Sequence, residues 1–381
     1  MSSSRFTTQR DVLIVGAGPA GIAAAIAAAT QGLHVEVIDA RKPPIDKACG
    51  EGLLPASLES LAALGFDLRD LLHTEGYPLQ GVRFLNGKNI AEAAFPLSSG
   101  RGIRRTVLHE LLVDRAESLG VRFHWENAVR AIEPTAQSAI VRTNHQTLST
   151  RYLIGADGHQ SRVATATGLT ASAIHSRRIG LSQHYAIAPW TNFVEVYWSD
   201  HGQAYVTPTS SNEVCVAYVA NQRSSTATEA LSQFPPLQHH LANAPLSGAA
   251  RGSITLDRKL RRVTTGNIAL IGDASGSVDA VTGEGLALCF RQAAALALAL
   301  KADDLTLYQK AHRRIRRLPS LMSRALLLLD RSPRLRNQVF NTFKRRPLLF
   351  ELLLQVHIGQ SPLRVFGTDG LLAAGLQMLT S

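Results

Sequence analysis

The chain has 381 residues, of which 45% are hydrophobic, and carries a formal net charge of +11. This length fits two domains or one large domain with an insertion, and the hydrophobic content supports a sizeable core rather than a disordered chain. Because the three cysteines, Cys49, Cys215 and Cys289, form no C-x-x-C pair, structural zinc and disulfides are disfavoured and a cytoplasmic location is expected.

The first predicted elements are a buried strand, a glycine turn and a helix between Asp11 and Asp39. Gly16, Gly18 and Gly21 have the spacing G-x-G-x-x-G. In such a unit they permit a tight turn, let the backbone approach a pyrophosphate, and let the helix pack closely on the strand. Asp39 ends the next predicted strand, where an acid can bind a ribose hydroxyl. The pattern predicts a dinucleotide site, and its glycines and proline disfavour a signal peptide or a membrane span.

Residues 40–155 are predicted to alternate helices with short strands. A glycine-flanked loop, Cys49–Gly52, is followed by a predicted helix from Pro55 to Leu64. The pair Asn86-Gly87 predicts a hairpin turn, and apolar spacing predicts a helix over 107–119. Short strands follow around 121–124, 128–132, 138–143 and 148–154. This alternation indicates mixed α/β structure built on a parallel sheet.

Residues 178–219 have a different pattern, without helices between the predicted strands. Apolar and polar residues alternate there, as in an antiparallel sheet with one covered face. The residues that define this pattern are His184, Tyr185, Val194, Val196, Trp198, Tyr205, Val214, Val216 and Tyr218. We therefore expect a second architectural unit.

A strand over Asn267–Asp273 is predicted to deliver Asp273 into a glycine-punctuated loop. The loop leads into an apolar helix that begins near Gly283 and runs to about Leu300. The free N–H groups at the start of that helix suit a negatively charged ligand. From residue 319 onward the pattern is helical and leucine-rich, with basic flanks.

Together with Gly155-Ala-Asp-Gly158, these stretches resemble one family: the FAD-dependent oxidoreductases that include aromatic hydroxylases of the para-hydroxybenzoate type and the geranylgeranyl reductases. The motifs that carry the resemblance are G-x-G-x-x-G, Asp157-Gly158, and Gly272-Asp273 with Thr282–Gly285, in register over residues 11–300. It implies an α/β (α+β) fold with a Rossmann-like FAD-binding domain, an antiparallel-sheet substrate domain and C-terminal helices. The expected boundaries are 1–76, 98–176 and 262–318 for the FAD-binding domain, 77–97 and 177–261 for the substrate domain, and 319–381 for the C-terminal helical segment.

The resemblance also implies which residues contact FAD. Asp39 would hold the adenosine ribose, Asp273 the ribitol chain, and Asp157 the pyrophosphate while supporting use of a nicotinamide cofactor. Amides at the helix start near Gly283 would favour the anionic reduced flavin. The full set is Gly16, Gly18, Ala20, Gly21, Asp39, Arg105, Val129, Asp157, Asp273, Gly283, Gly285 and Leu286.

Two departures from the family pattern are visible. Proline commonly follows the acid of the Asp-Pro-x-Thr-Gly turn, but Ala280 follows Asp279 here, which leaves open how that turn is kept rigid. The Trp-x-Trp-x-Ile-Pro run of flavin halogenases is absent, since neither Trp190 nor Trp198 belongs to one. Halogenation is therefore disfavoured.

Four residues are candidates for chemistry on the substrate: Cys49, His184, Tyr185 and Tyr205. Cys49 lies either beside the flavin or simply in a tight loop. His184 and Tyr185 either orient a phenol and help to deprotonate it or pack in the sheet, and Tyr205 has the same two interpretations. No H-E-x-x-H or comparable ligand spacing occurs, so no metal site is predicted.

Three functions are compatible with these residues, and the first two act on a small aromatic or lipophilic molecule. The first is an NAD(P)H-dependent monooxygenase that hydroxylates an aromatic or polyketide-like substrate; the single G-x-G-x-x-G implies that NAD(P)H docks only transiently. The alternative is an ene-reductase of the geranylgeranyl type acting on an isoprenoid or other lipid C=C bond, which the Cys49–Gly52 loop favours. The third is a non-catalytic protein that keeps the fold, which the intact Asp157 and Asp273 motifs disfavour.

Basic residues concentrate in residues 301–346, with thirteen Lys and Arg against three acids. Because leucines are interleaved with these cations, the segment is either a solvated helical face or a peripheral contact with an anionic membrane. No nucleic-acid motif occurs, so no nucleic-acid partner is predicted.

Overall fold

The computed structural model of the protein describes residues 10–67, 76–96, 99–135, 137–220 and 226–362. The strands in this part of the chain are β1 (Arg10–Val15), β2 (Val35–Ile38), β3 (Gly52–Leu53), β4 (Tyr77–Leu79), β5 (Gly81–Asn86), β6 (Asn89–Ala94), β7 (Gly100–Gly102), β8 (Arg122–His124), β9 (Val129–Pro134), β10 (Ala139–Thr143), β11 (Thr147–Gly155), β12 (Ser172–Tyr185), β13 (Phe193–Trp198), β14 (Gly202–Ser210), β15 (Glu213–Ala220), β16 (Arg251–Leu260), β17 (Thr264–Thr265), β18 (Ile268–Leu270) and β19 (Gly276–Ser277). The helices are α1 (Pro19–Thr30), α2 (Pro55–Ala63), α3 (Arg105–Ser118), α4 (Arg162–Ala166), α5 (Ala227–Leu231), α6 (Pro235–Leu241), α7 (Gly285–Lys301), α8 (Leu305–Arg331), α9 (Pro333–Arg345) and α10 (Pro347–His357).

Within the described residues, the first layer is an eight-stranded sheet whose parallel core has the strand order β18-β11-β1-β2-β8. Strand β17 pairs antiparallel with β18, and β10 and β9 extend the sheet antiparallel from β11. Its inner strands are largely apolar and buried, as in β1, whose residues 12–15 are all buried. Helix α1 packs against α3 and α7. The predicted parallel α/β unit is confirmed.

The second layer is the predicted sheet of mainly antiparallel strands, in the order β19-β16-β12-β15-β14-β13-β5-β6. Strands β13 and β5 pair in parallel, and the other neighbours are antiparallel. Apolar clusters cover its two faces. One cluster includes α8, α9 and α10, and the other includes α5 and α6.

Three details differ from the sequence-based expectations. The hairpin between β5 and β6 forms, but Asn86 pairs with Asn89, so its loop is Gly87-Lys88. Gly87 supplies the positive φ, +59°, at the first loop position. Strand β12 begins at Ser172, inside the range assigned to the FAD-binding domain, and α8 runs without a break through the expected boundary at 318/319.

Helix α8 keeps its helical path with Pro319 in its interior. Among the described residues, no helix combines the length and the apolar content needed to cross a bilayer.

Candidate active site

The glycine turn at Gly16–Gly21 (the first motif) and the segment Gly155–Gly158 (the second motif) meet at the carboxyl ends of β1 and β11. Gly16 has φ of +106°, and a Cβ atom placed on it would lie 2.5 Å from the carbonyl oxygen of Ala156. The Ala156 N–H donates to the Val15 carbonyl at 2.7 Å. Only glycine fits at position 16, because both the backbone angle and the close approach exclude a side chain.

The third motif, Gly272-Asp273 with Thr282–Gly285, contacts the first. Gly272 has φ of +60°, and an added Cβ would lie 2.6 Å from the Cβ of Ala20 at the start of α1. The Gly272 N–H is held by Oε1 of Gln292 on α7 at 2.9 Å. The three motifs, separated in sequence, therefore converge at one edge of the parallel sheet, where ligands of open α/β sheets bind.

This edge has the shape and the donors that FAD requires. A Cβ placed on Gly18, Gly283 or Gly285 would meet no protein atom within 4 Å among the described residues, so the backbone there is open to a ligand. Neither α1 nor α7 has a side-chain cap at its first turn, which leaves N–H groups for anionic oxygens. Within the same residues, Arg105 Nε and Asn127 Oδ1 are buried without a hydrogen-bond partner. The residues present fit an extended dinucleotide.

Asp39 is fixed by the glycine turn that it follows. Its Oδ2 accepts the Ala17 N–H at 2.8 Å and its Oδ1 accepts the Arg41 N–H at 2.9 Å. The Asn127 N–H donates to the Asp39 carbonyl at 2.9 Å, and Val129 is buried two residues further on. Asn127 was not predicted from the sequence, because its only distinguishing feature is its position beside Asp39 in space.

Asp273 lies between two basic side chains, Lys47 and His159, that the sequence did not single out. Lys47 Nζ is 3.1 Å and His159 Nε2 is 3.3 Å from its Oδ2. Partial burial opposes ionisation of Asp273, but these two groups hold the pKa of its carboxyl below the ordinary value. Lys47 thus ties the loop after β2 to the third motif.

Asp157 has a local role in the structure. Its Oδ1 accepts the Ser161 hydroxyl and its Oδ2 accepts the Arg162 N–H, both at 2.6 Å, at the start of α4. These contacts use the carboxylate that the resemblance assigned to the pyrophosphate and nicotinamide. That assignment stays a prediction.

Glu51 links the loop of residues 47–52, the start of α3 and the substrate sheet. It has φ of +58° and is buried between Gly50 and Gly52. Its Oε1 accepts the Arg105 N–H at 2.9 Å, and its Oε2 is 2.6 Å from His184 Nε2 on β12. A non-glycine residue in this backbone region carries strain, and such strain concentrates at functional sites. Only the two flanking glycines could have pointed to it from sequence.

Two cysteines lie beside this pair. Cys49 Sγ accepts the Glu51 N–H at 3.4 Å, and Cys215 Sγ donates to the Cys49 carbonyl at 3.6 Å. In the described part of the chain, Glu51, His184 and Cys215 place ligand atoms within 4.8 Å of one another. Two ligands of one tetrahedral zinc stand ~3.3 Å apart, so the 2.6 Å contact between Glu51 and His184 is that of a hydrogen-bonded pair.

The sheet separates the other substrate candidates. His184 and Tyr185 are consecutive, so they point to opposite faces of β12. Tyr185 is buried in the apolar cluster with α5 and α6, whereas His184 faces Glu51. The two cannot orient one phenol together, and burial raises the pKa of Tyr185. Tyr205 donates its hydroxyl to the Val281 carbonyl at 3.3 Å, beside the third motif.

The turn at Asp279 is held without the family's proline. Asp279 Oδ1 accepts the Val281 N–H at 3.0 Å, and the fully buried Arg178 pairs with both carboxylate oxygens. The Ala280 N–H, which proline would lack, donates to Thr255 Oγ1 at 3.0 Å. These side-chain contacts hold the turn rigid in place of the proline ring that the family pattern has at position 280.

Helix α10 supports the same turn from outside. His357 Nε2 is 2.8 Å from the Thr282 carbonyl oxygen, and its Nδ1 is 3.8 Å from a carboxylate oxygen of Glu284. Burial raises the pKa of Glu284, the residue before α7. No local sequence signal connected residue 357 with this loop.

Comparisons with known proteins agree with this geometry. A family model described as FAD binding domain matches residues 9–306. The chain is 28% identical over 307 residues to a menaquinone reductase of Mycolicibacterium smegmatis, covering 73% of each protein. It is 26% identical over 314 residues to digeranylgeranylglycerophospholipid reductase 2 of Methanosphaera stadtmanae, covering 73% of this chain and 74% of that protein. It is 30% identical over 179 residues to a 3-(3-hydroxy-phenyl)propionate/3-hydroxycinnamic acid hydroxylase of Mycobacterium sp., covering 44% of this chain and 31% of that protein.

Solved structures share the fold over nearly the whole chain. A flavoprotein/dehydrogenase from Cytophaga hutchinsonii superimposes with a TM-score of 0.83 at 19% identity, covering 97% of this chain and 99% of that one. A p-nitrophenol 4-monooxygenase from Pseudomonas putida superimposes with a TM-score of 0.79 at 17% identity, covering 93% and 99%. The mixed α/β architecture expected from the sequence is therefore confirmed.

Proposed function

The chain belongs to the FAD binding domain family of flavin-dependent oxidoreductases, and on that premise we propose that it is a monooxygenase that hydroxylates a lipophilic aromatic molecule. NAD(P)H would be its transient reductant. When bound, FAD would supply the electron transfer and the oxygen activation. The residues that would hold it are the glycine turn at Gly16–Gly21, Asp39, Arg105, Asp273 and the start of α7.

The observation that carries this proposal is the Glu51–His184 pair, which joins the loop before β3 to β12. Because Nε2 of His184 contacts Glu51 Oε2 at 2.6 Å, Nδ1 is the ring nitrogen left to accept a proton. Hydroxylation of a phenol is helped by its deprotonation, which increases electron density in the ring. Glu51 would stabilise the imidazolium that forms, as a carboxylate does when it supports a catalytic histidine.

The substrate would lie over the face of the sheet that carries His184 and Tyr205. Val281, which accepts the Tyr205 hydroxyl, packs in an apolar cluster with Val194 and Val196. Such a surface suits an apolar ring and helps to exclude water from the reaction.

A second candidate is reduction of a C=C bond in a lipid. It is favoured by the reductase relatives, which align with about three quarters of this chain, whereas the hydroxylase relative aligns with 44%. The same pair would then act in the opposite direction, with His184 donating a proton to one carbon. The hydride for the other carbon would come from bound FAD that NAD(P)H has reduced.

Anaerobic and aerobic turnover distinguish the two. Purified FAD-loaded protein is mixed anaerobically with NAD(P)H and either an alkyl phenol or a polyprenyl lipid, and oxygen is then admitted. We expect a product heavier by one oxygen atom, formed only with oxygen. A product heavier by two hydrogen atoms, formed without oxygen, would establish the reductase instead.

Substitution of the pair tests its role. We expect His184→Gln to lower turnover by roughly 10²- to 10⁴-fold with FAD content unchanged. A ring with electron-withdrawing groups, which ionises unaided, should recover part of that loss. Tyr185→Phe is the matched control, since that hydroxyl faces away. If His184→Gln lowered turnover equally with the alkyl phenol and with the ring that carries electron-withdrawing groups, His184 would not be the base.

A further inference from the structure

The inward face of α8 is unusually polar. Tyr308 donates its hydroxyl to the Leu270 carbonyl at 2.9 Å, and His312 Nε2 lies 2.9 Å from Ser275 Oγ. Arg316 donates to the carbonyls of Arg258 and Ser277, both at 2.9 Å, and Asp330 pairs with Arg178. These side chains fix α8 to β12, to β16 and to residues 270–277 through individual polar contacts.

The outward face carries leucines instead. Leu307, Leu321 and Leu328 are 45%, 52% and 57% exposed. They belong to one stripe with alternating spacings of three and four residues, which places its members on a single helical face. The stripe is Leu307, Lys310, Arg314, Arg317, Leu321, Arg324, Leu328 and Arg331, all exposed. It is about 36 Å long at 1.5 Å per residue.

The helices that carry and follow the stripe are strongly cationic. Residues 305–349 carry ten exposed cations, and their one acid, Asp330, is buried against Arg178. The exposed cations are Lys310, Arg313, Arg314, Arg317, Arg324, Arg331, Arg334, Lys344, Arg345 and Arg346. Every aromatic side chain in this stretch is buried, so bases of a nucleic acid would find no stacking platform on it.

We propose that the outward face of α8 docks the protein on a bilayer surface that contains anionic lipids. The leucines would enter the boundary between headgroups and acyl chains, while the guanidinium groups bind lipid phosphates. Leucines that faced only water would add nothing to folding, because the inward contacts of α8 are made by other residues.

The docked face lies close to the proposed substrate surface. Leu327, on the inward side of α8, belongs to the same apolar cluster as Val281, whose carbonyl accepts the Tyr205 hydroxyl. The substrate would therefore be an amphiphile that partitions into the membrane. This substrate class rests on the proposed function, whereas the docking itself does not.

Co-sedimentation of the FAD-loaded protein with vesicles tests the docking without turnover. We expect binding to phosphatidylcholine vesicles that contain phosphatidylglycerol, little binding to phosphatidylcholine alone, and release at about 0.5 M salt, where screening is strong. Equal binding to both vesicles, or none to either, would overturn the proposal. So would tighter binding to a single-stranded oligonucleotide than to anionic vesicles.

Two pairs of variants separate charge from insertion. Arg314→Glu with Arg317→Glu should reduce binding at least tenfold, whereas Lys42→Glu with Arg122→Glu, an equal charge change elsewhere on the surface, should not. Leu321→Asn with Leu328→Asn should reduce binding, and Ile90→Asn with Leu246→Asn, also at exposed sites, should leave it unchanged. Unchanged melting temperatures would confirm that all four proteins fold. Wild-type binding by the α8 leucine variant would overturn insertion.

Discussion

Two glycines at the start of α1 have different neighbours and therefore different sensitivities. Gly18 has φ of −73°, which any residue adopts, and an added Cβ would meet no described protein atom within 4 Å. On Gly21 the same atom would lie 1.9 Å from the Gly16 carbonyl oxygen. The fold requires glycine at position 21, whereas at position 18 we expect only a bound ligand to require it.

We expect Gly18→Ala to fold normally but to bind FAD roughly 10- to 100-fold more weakly, since a methyl group added to a filled contact costs about 1–3 kcal/mol. Gly21→Ala should lower the free energy of unfolding by about 3 kcal/mol or more, because a backbone carbonyl cannot move aside. Flavin fluorescence titration and urea unfolding of the cofactor-free proteins measure the two effects. Comparable destabilisation by both substitutions would contradict this assignment.

At the scale of elements, Arg178 joins β12 to the turn before α7 and to α8. It is 1% exposed and pairs with Asp279 and Asp330, both buried, and with Gln203 Oε1 at 2.7 Å. Replacing it takes a cationic partner away from two buried carboxylates, which is the costly way to break such a network.

Arg178→Met should therefore lower the free energy of unfolding by about 3–5 kcal/mol in urea. Adding Asp279→Asn to that variant should recover part of the loss. Arg142→Met, which breaks an exposed pair with Glu133, is the control and should cost less than about 1 kcal/mol. If the two single variants were equally stable, the buried network would not hold these elements together.

Glu36 connects three neighbouring strands of the parallel sheet. It lies on β2 and accepts hydrogen bonds from Arg10 on β1 and, at 2.8 Å, from His124 on β8. Burial would raise the pKa of Glu36, but the bonds to His124 and Arg10 outweigh it and lower the pKa to about 2. The folded-state pKa is thus below the unfolded one.

A depressed carboxyl pKa stabilises the fold above the unfolded value and loses that effect as the pH falls toward the folded value. We expect Glu36→Gln to lower the free energy of unfolding by about 2 kcal/mol at pH 7. Urea unfolding at a series of pH values should show that the difference from wild type shrinks as the pH falls from about 5 to 3. The control is Glu133→Gln, at an exposed pair, which should change the free energy of unfolding only slightly at every pH. If the loss of stability in Glu36→Gln did not depend on pH, the lowered pKa of Glu36 would not contribute to stability.

For the whole molecule, the proposed cofactor site combines segments that are far apart in the chain. Asp39 and the start of α1 lie on one side, and Asp273 with the start of α7 on the other, joined where Ala20 touches Gly272. A ligand that spans both sides should stabilise the fold more than a ligand that reaches only the side with Asp273 and the start of α7.

We expect FAD to raise the melting temperature of the cofactor-free protein more than FMN does, since FMN lacks the adenosine part. A ligand at a hundredfold excess over its Kd stabilises the fold by about 2.7 kcal/mol, which raises the melting temperature by several degrees. Gly18→Ala should lose most of the FAD shift and keep the FMN shift. Equal shifts by FAD and FMN in wild type would contradict the proposed placement of the dinucleotide.

The sequence alone determined the glycine turn, the parallel sheet and the mainly antiparallel sheet. Their signals are local: a positive φ at Gly16, an apolar run in β1 and alternation after residue 178 depend on neighbours a few residues away. The same locality explains why the hairpin was predicted but its loop was displaced by one residue.

Only the tertiary structure decided which side chains meet at the site. Glu51 and His184 are 133 residues apart, and Lys47 and Asp273 are 226 apart, so no spacing in the sequence relates them. The sheet likewise placed Tyr185 on the face away from His184, and the packing of β16 gave Ala280 a partner in place of proline. Backbone requirements are encoded locally, whereas side-chain contacts depend on how the layers pack.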